Sequence, residues 1–419
     1  MKTSIKKHQF ASIISVCFVL GFVSIANSEY YTILHEFQGG AGDGSAPLFS
    51  TPIIDGNTLY GMTENGGANN IGVIFKMNKD GSGYTNIHEF SYGQDNGQWP
   101  AGSLTLHNGK LYGMTRYGGF YGQGALFRID IDGNNFTNLH SFSDWTDDGG
   151  DPFGSLTLSG NTFYGMTSSG GAAGFGKGVL FKMDIDGSNY TNLHIFSNAA
   201  DNGSVPWGDV TLSGSTLYGM TRGGGSNSFG VVFKVNTDGS NYTNLHQFGG
   251  GNNNGVQPCG NVTLNGSYLY GMAPFGGYDN KGVLFRVGTD GTGYTNLHEF
   301  PGSSADGRSP YGSLILSNDF LFGMTYMGGK ESGSGGGTIF KINLNGSGYT
   351  NLHVFDGGIN DGERSHGSLL NVGDEFYGMT EFGGVSNLGI IFMYSEIPEP
   401  WFIWIIGLIF PFLKGLKVR

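Results

Sequence analysis

The sequence predicts an all-β ring, a seven-bladed β-propeller with four antiparallel strands per blade, its last blade closed by the N-terminal strand at residues 30–37. Three observations predict it. A close variant of Leu-Tyr-Gly-Met-Thr starts at Leu59, Leu111, Phe163, Leu217, Leu269, Leu321 and Phe376, so copies recur every 52 to 55 residues, a period that suits one blade per copy. Each copy holds several short runs of β-branched and aromatic residues bounded by Gly, Asn, Asp or Pro, the pattern of strands and turns. The repeat is also split between the two ends of the body, which opens on a lone fourth strand (Tyr30 to Phe37) and finishes on a third (Gly389 to Tyr394). A ring gains from that split a backbone-bonded clasp that removes an exposed edge; an open array gains nothing.

The elements of one blade follow in order. Strand a is the Gly-Ser-Leu-Thr-Leu type run (Gly102 to Leu106), strand b the Leu-Tyr-Gly-Met-Thr motif, strand c the Gly-Val-Ile-Phe-Lys-Met type run (Gly72 to Met77), and strand d Tyr-Thr-Asn-Ile-His-Glu-Phe (Tyr84 to Phe90). Tight turns such as Ser159-Gly160-Asn161 join a to b, and turns such as Asp130-Ile131-Asp132-Gly133 join c to d; Gly there takes a positive φ without a Cβ clash. Six complete repeats and one composite predict 28 strands and almost no helix.

Composition fits such a ring. The chain has 78 Gly in 419 residues, 14% aromatic and 13% charged residues, and its glycines recur beside Tyr, Phe, Leu and Val, so a core can still form. Each terminal segment takes three of the 21 basic residues, and the second takes one of the 33 acidic ones, leaving 15 against 32 in the body from Glu29 to Glu396. A body with a net charge near −17 repels phosphate backbones, so nucleic acid is not expected as a partner, and neutral or cationic ligands or divalent cations are expected instead. Cys17 lies in the leader and Cys259 is the other cysteine, so the body has no internal disulfide.

Residues 1–28 have Lys2, Lys6 and Lys7, an apolar stretch from Phe10 to Val23 and small residues at Ala26-Asn27-Ser28. That order reads as a secretory signal peptide, the alternative being a membrane-anchoring helix, for which the apolar run is short. Residues 397–419 carry Pro398-Glu399-Pro400, an apolar segment from Trp401 to Leu413 and a basic tail of Lys414, Lys417 and Arg419. This resembles the PEP-CTERM sorting signal of Gram-negative bacteria. The resemblance implies an exosortase as partner, cleavage near Pro398 to Pro400, transient membrane attachment through the C-terminal segment, and display on the outer cell surface or release. An ordinary C-terminal membrane anchor is the plainer reading.

The repeat itself, Leu-Tyr-Gly-Met-Thr followed by Gly-Gly (Gly66-Gly67, Gly118-Gly119, Gly276-Gly277), Gly-Val-Leu-Phe-Lys, Asp-Gly and Tyr-Thr-Asn-Leu-His, is similar to the GloVer tandem repeat of bacterial "choice-of-anchor" surface proteins. That resemblance implies a secreted repeat protein with an interchangeable anchor and no particular activity. At the level of fold the strand order is also similar to kelch propellers.

Seven histidines recur on strand d (His35, His88, His140, His194, His246, His298 and His353). A metal ring is excluded, because strand d lies about 15 Å outside strand a and its copies cannot converge on one ion; structural hydrogen bonding is expected. The seven strand-b methionines, from Met62 to Met379, read as packing between blades. No cofactor is expected. The Asp130-Asp132, Asp184-Asp186 and Asn78-Asp80 turns match only the start of a calcium loop, and a turn calls for the same residues. A second acidic series, Asp43, Asp95, Asp148, Asp201, Asp306 and Asp361, lies between d and a as a further place for an ion. No nucleophile-and-base motif stands out, so an enzyme is not expected. Glu363 and His366 alone depart towards acid–base chemistry.

The copies differ most in two places. After the recurring Pro the residues are Leu48, Ala101, Phe153, Trp207, Cys259, Tyr311 and His366. After strand b come Glu64-Asn65, Arg116-Tyr117, Ser168-Ser169, Arg222-Gly223, Pro274-Phe275, Tyr326-Met327 and Glu381-Phe382. In an antiparallel meander both sets emerge on one face and meet at one mouth of the ring. The expected ligand-binding rim is therefore Phe153, Trp207, Tyr311, His366, Arg116, Tyr117, Arg222, Phe275, Tyr326 and Phe382, with aromatics suited to stacking on sugar rings or against a protein edge. A non-enzymatic binding or adhesion module for polysaccharide or an extracellular protein is the function this predicts. A structural envelope or matrix protein and a carbohydrate-active enzyme are the alternatives.

Overall fold

The computed structural model describes residues 30–144, 147–171, 176–301, 306–330 and 335–396. The segments expected to be a signal peptide (1–28) and a sorting signal (397–419, with Pro398, Glu399 and Pro400) lie outside them. The body from Glu29 to Glu396 is one compact unit, and among the described residues no helix is long and apolar enough to cross a membrane.

Seven four-stranded antiparallel sheets make the ring. Blade 3 is typical, with strands a to d at Thr157–Ser159, Thr162–Met166, Val179–Asp184 and Thr191–Ile195. The closing blade pairs Tyr30–Glu36 with Ile390–Ser395, in a register from Tyr30↔Ser395 to Glu36↔Ile390. The predicted clasp is thus present. The strand count differs from 28, because twelve two-residue strands form six extra ribbons, such as Gly44–Ser45 with Asn65–Gly66. In blade 2 the ribbon merges into strands a and b, Gly97–His107 and Lys110–Gly118.

The motif explains the blade. The Gly of Leu-Tyr-Gly-Met-Thr faces the Phe of strand c, as in Gly61↔Phe75 and Gly378↔Phe392, and a Cβ on either glycine would lie 2.4 Å from the Phe ring. Removing the side chain on strand b makes room for a fully buried aromatic on strand c. Leu and Met of the motif then pack outward between blades: Met62 joins Leu104, Leu111 and Phe127 of the next blade in one buried cluster. Seven such clusters fill the seven junctions.

The strand-d histidines staple the junctions from outside. Each follows a β-bulge, a device that re-aims a side chain, as between Ile74 and Phe75 opposite His88. Each stacks on the Tyr or Phe that opens strand d of the following blade, with ring centroids 3.6–4.2 Å apart (His246 on Tyr294, His140 on Tyr190). Each also sits 2.8–3.4 Å from a side chain eight residues on: Asp43, Asp148, Asp306 and Asp361 in four blades, Asn96, Asn202 and Asn254 in three. Four members of the acidic series therefore hold histidines, while Asp95 and Asp201 each precede the Asn that does so. In the c–d turns, Asp80, Asp186 and Asp238 cap a backbone N–H two residues on, at 2.9 Å. Among the described residues no group of three or more His, Cys, Asp or Glu is placed to hold a metal ion.

These staples make stability sensitive to acid. Burial lowers His88, His194 and His246 below the ordinary histidine value, their Asn partners only partly opposing it. Burial raises Asp43, Asp148 and Asp361, but the bonds from histidine and backbone N–H outweigh it and leave each carboxyl below its ordinary value. In both cases the unfolded chain binds protons first, so each contribution is present at high pH and disappears as pH falls. Calorimetry is expected to show the melting temperature falling first below about pH 6.5 and again below about pH 4. A flat profile between pH 7.5 and 5 would contradict the histidine part.

Candidate functional site

The ribbons bring the two variable sets side by side. Ser45 pairs with Asn65, Gln98 with Tyr117 and Glu363 with Phe382, so d–a and b–c connections share one face around the ring axis.

A third variable set lies between them. The residue before the recurring Pro, or before Ser365 in blade 7, is Ala46, Trp99, Asp151, Val205, Gln257, Ser309 or Arg364, and all seven have positive φ, between 48° and 61°. A non-glycine residue in that region costs about 1–3 kcal/mol and persists only where its surroundings hold it. Here they do. Each N–H donates to a carbonyl of the preceding blade at 2.7–2.9 Å, for example Val205 to Lys177 and Gln257 to Phe229. In five blades the carbonyl of the same residue accepts the N–H that follows strand b, as Val205 does from Arg222 and Arg364 from Glu381, at 3.1–3.2 Å.

At the centre stands Phe49, itself at φ 54°. Blade 1 has one extra residue after its Pro, so Phe49, not Leu48, occupies the position of Phe153 and Trp207; the register is set by Ser50, which takes the place of an axial glycine such as Gly102. Phe49 touches rings from four other blades: Phe153 at 5.7 Å, Trp207 at 5.8 Å, Tyr311 at 6.4 Å and His366 at 4.9 Å between centroids. The remaining predicted rings join them. Tyr326 lies 4.3 Å from His366, Phe275 6.4 Å from Tyr311, and Tyr117 5.4 Å from Trp99. All ten predicted rim residues are at the mouth, Phe382 beneath the Arg364 guanidinium at 5.3 Å.

The ring faces are less open than stacking on sugar requires. Phe153 and Trp207 stack at 4.4 Å, with Arg116 over Phe153 at 4.0 Å and Arg222 over Trp207 at 3.9 Å. What the mouth offers is ring edges and polar groups. Arg116 is 3.1 Å from both Glu64 and Asp151. Burial raises the Glu64 carboxyl, with Arg116 opposing and the charge of Glu381 adding to it. His366 lies 3.2 Å from Glu381, whereas Glu363 faces Arg364 at 3.2 Å. The carboxylate beside His366 is therefore Glu381 and not Glu363. Cys259 is buried and its thiol is pushed up to about 12 by burial, Arg222 opposing, so it stays neutral and unreactive.

Below the mouth, a cavity of about 300 Å³ follows the axis, lined by Phe49, Trp207, Tyr311 and the residues entering strand a. Hydrogen bonds run around it from blade to blade: Thr51 N–H to Ser103, Ser103 to Ser155, Ser155 to Asp209, Asn261 to Ser313, Ser313 to Ser368, and Ser368 to Thr51. Burial raises the Asp209 carboxyl against the bonds from Ser155.

The sequence profile of the Gloeobacter/Verrucomicrobia repeat matches residues 21–200 and 173–392. No curated protein matches. Among solved structures, an oligogalacturonate lyase in complex with manganese is similar at a TM-score of 0.53 and 10% identity, over 89% of this chain and 94% of that one. TolB from Acinetobacter baumannii is similar at a TM-score of 0.40 and 13% identity, over 67% of this chain and 59% of that one.

Proposed function

Because the chain belongs to the Gloeobacter/Verrucomicrobia repeat family and folds as a propeller whose blades diverge at one mouth, we propose that it is a non-enzymatic binding or adhesion module using that mouth, with polysaccharide as the partner ahead of an extracellular protein. The ring of strained positions carries this reading. In a chain with 78 Gly, glycine would relieve the strain at every one of the seven, yet seven different side chains stand there. Strain of this kind gathers at binding sites, where the side chain matters more than its cost. The leader and the Pro-Glu-Pro tail support export and display at the outer surface of a Gram-negative cell, with exosortase processing of a transient membrane anchor.

Passing the purified protein over a glycan array tests the proposal. Retention that falls at least about tenfold with Trp207→Ala is expected, as for loss of a buried aromatic anchor. Retention of nothing, or retention indifferent to Trp207→Ala and Arg116→Ala, would remove it. The Glu64, His366 and Glu381 group favours one second reading, acid–base chemistry on a bound saccharide. Release of shorter products from a retained polysaccharide would establish that instead.

A further inference from the structure

We infer that the mouth takes an acidic sugar unit, a pyranose bearing a carboxylate, which Arg222 meets end-on as a local positive charge in a body whose net charge otherwise favours neutral or cationic ligands. The inference rests on the binding reading above and narrows it. Four guanidiniums stand at the mouth. Arg308 donates to the Met327 sulfur at 3.8 Å on the blade 6 ribbon, while Arg116 is answered by Glu64 and Asp151 at 3.1 Å each and Arg364 by Glu363 at 3.2 Å. Arg222 is different. Its Nε and Nη2 donate to one oxygen, Oε1 of Gln257, at 3.3 and 3.2 Å. An amide oxygen orients the guanidinium but does not neutralise it.

The orientation is specific. One face of the guanidinium lies on Trp207 at 3.9 Å, and its Nε edge is held by Gln257, whose own backbone is fixed at φ 57°. Nη1 makes no hydrogen bond among the described residues, so the Nη1–Nη2 edge is left as a two-pronged donor, the geometry that matches a carboxylate. Because the group is already placed, binding does not have to order it. Tyr311, near enough for the Arg222 charge to act on its phenol, and Asn261 on the cavity wall supply partners for ring hydroxyls. The axial cavity of about 300 Å³ begins below this edge and is lined by Trp207, Tyr311 and Asn261 but not by Arg222, so the carboxylate is met at the mouth and the sugar ring reaches down towards the cavity.

Calorimetric titration of the full-length protein with four probes tests this: a uronate hexasaccharide, the same oligomer with its carboxyls reduced to alcohols, the free uronic acid, and polyglutamate. The hexasaccharide is expected to bind roughly tenfold or more tighter than its reduced form, the worth of a charged hydrogen bond. Tighter binding of the hexasaccharide than of the free acid identifies a polymer as the source of the carboxylate; the reverse identifies a free sugar acid. Arg222→Gln should abolish the preference. Gln257→Glu should also abolish it by giving Arg222 an internal carboxylate, with the melting temperature kept, while Arg128→Gln, on strand c outside the mouth, leaves it unchanged. Equal binding of the reduced oligomer, a preference that survives both mouth variants, or polyglutamate binding as tightly as the hexasaccharide would overturn the inference. In the first case Trp207-dependent binding of the neutral oligomer would leave the wider reading standing; no saccharide binding at all would end both.

Discussion

Deleting residues 30–36 is expected to abolish cooperative unfolding of the whole ring, although it removes one strand of one blade. The strand does three jobs. It completes the sheet through the register from Tyr30↔Ser395 to Glu36↔Ile390. It links backwards, with Tyr31 stacked on His353 of blade 6 at 3.8 Å, and forwards, with His35 stacked on Tyr84 of blade 1 at 3.7 Å. Without it, Ile390–Ser395 becomes a bare apolar edge, and the buried surface of blades 6, 7 and 1 opens together. That loss exceeds the roughly 5–15 kcal/mol by which a domain is stable. Circular dichroism melting and gel filtration should show a broad transition and aggregation. A sharp transition within about 2 °C of the parent, a loss of only about 1–2 kcal/mol in a body of this size, would mean that the ring does not depend on its clasp.

The second large effect is Gly154→Ala. Gly154 lies where successive blades touch backbone to backbone beside the axis, and an added Cβ would meet the Gly208 carbonyl oxygen at 2.0 Å and its carbon at 2.5 Å. Neither atom can swing away. A loss of about 3 kcal/mol or more is expected in denaturant titration, at or above the upper end of overpacking costs. Gly160→Ala is the control, with φ at +59° and nothing within 4 Å of the new methyl; backbone strain alone costs about 1–2 kcal/mol. Equal losses at the two sites would show that the axial contact yields.

Much of this was legible because it repeats. Seven copies of one motif and a divided blade announce seven sheets and their closure. Gly102 to Leu106 does lie within strand a of its own blade, Gly97–His107, but the other blades keep three residues, as in Thr157–Ser159. There the preceding Gly-Ser-Leu turns aside to bond the next blade, as Ser155 N–H does to Asp209, and no periodicity reports a side chain that bonds sideways. The rim was found from variation among copies. The pre-proline set was missed for a physical reason: a residue before proline is expected to be extended, and nothing local to Val205 or Gln257 signals a left-handed backbone. Their variety was there to be seen, one residue upstream of the set that was read. Phe49 was missed because blade 1 carries an extra residue, and alignment on Pro47 puts Leu48 in its place.

The seam also decides how the ring answers a pull. Residues 30 and 395 face each other across one rung, so drawing them apart parts the rungs in succession, each at small force. Strand c of the seventh blade starts at the mouth and ends on the opposite side, flanked by Glu375–Thr380 and Tyr30–Glu36. A tether at residue 395 working against cargo gripped at the mouth would load both ladders of that strand lengthwise, every rung at once. The same joint that unzips between the ends is therefore in shear when the mouth is loaded, the direction in which paired strands resist most.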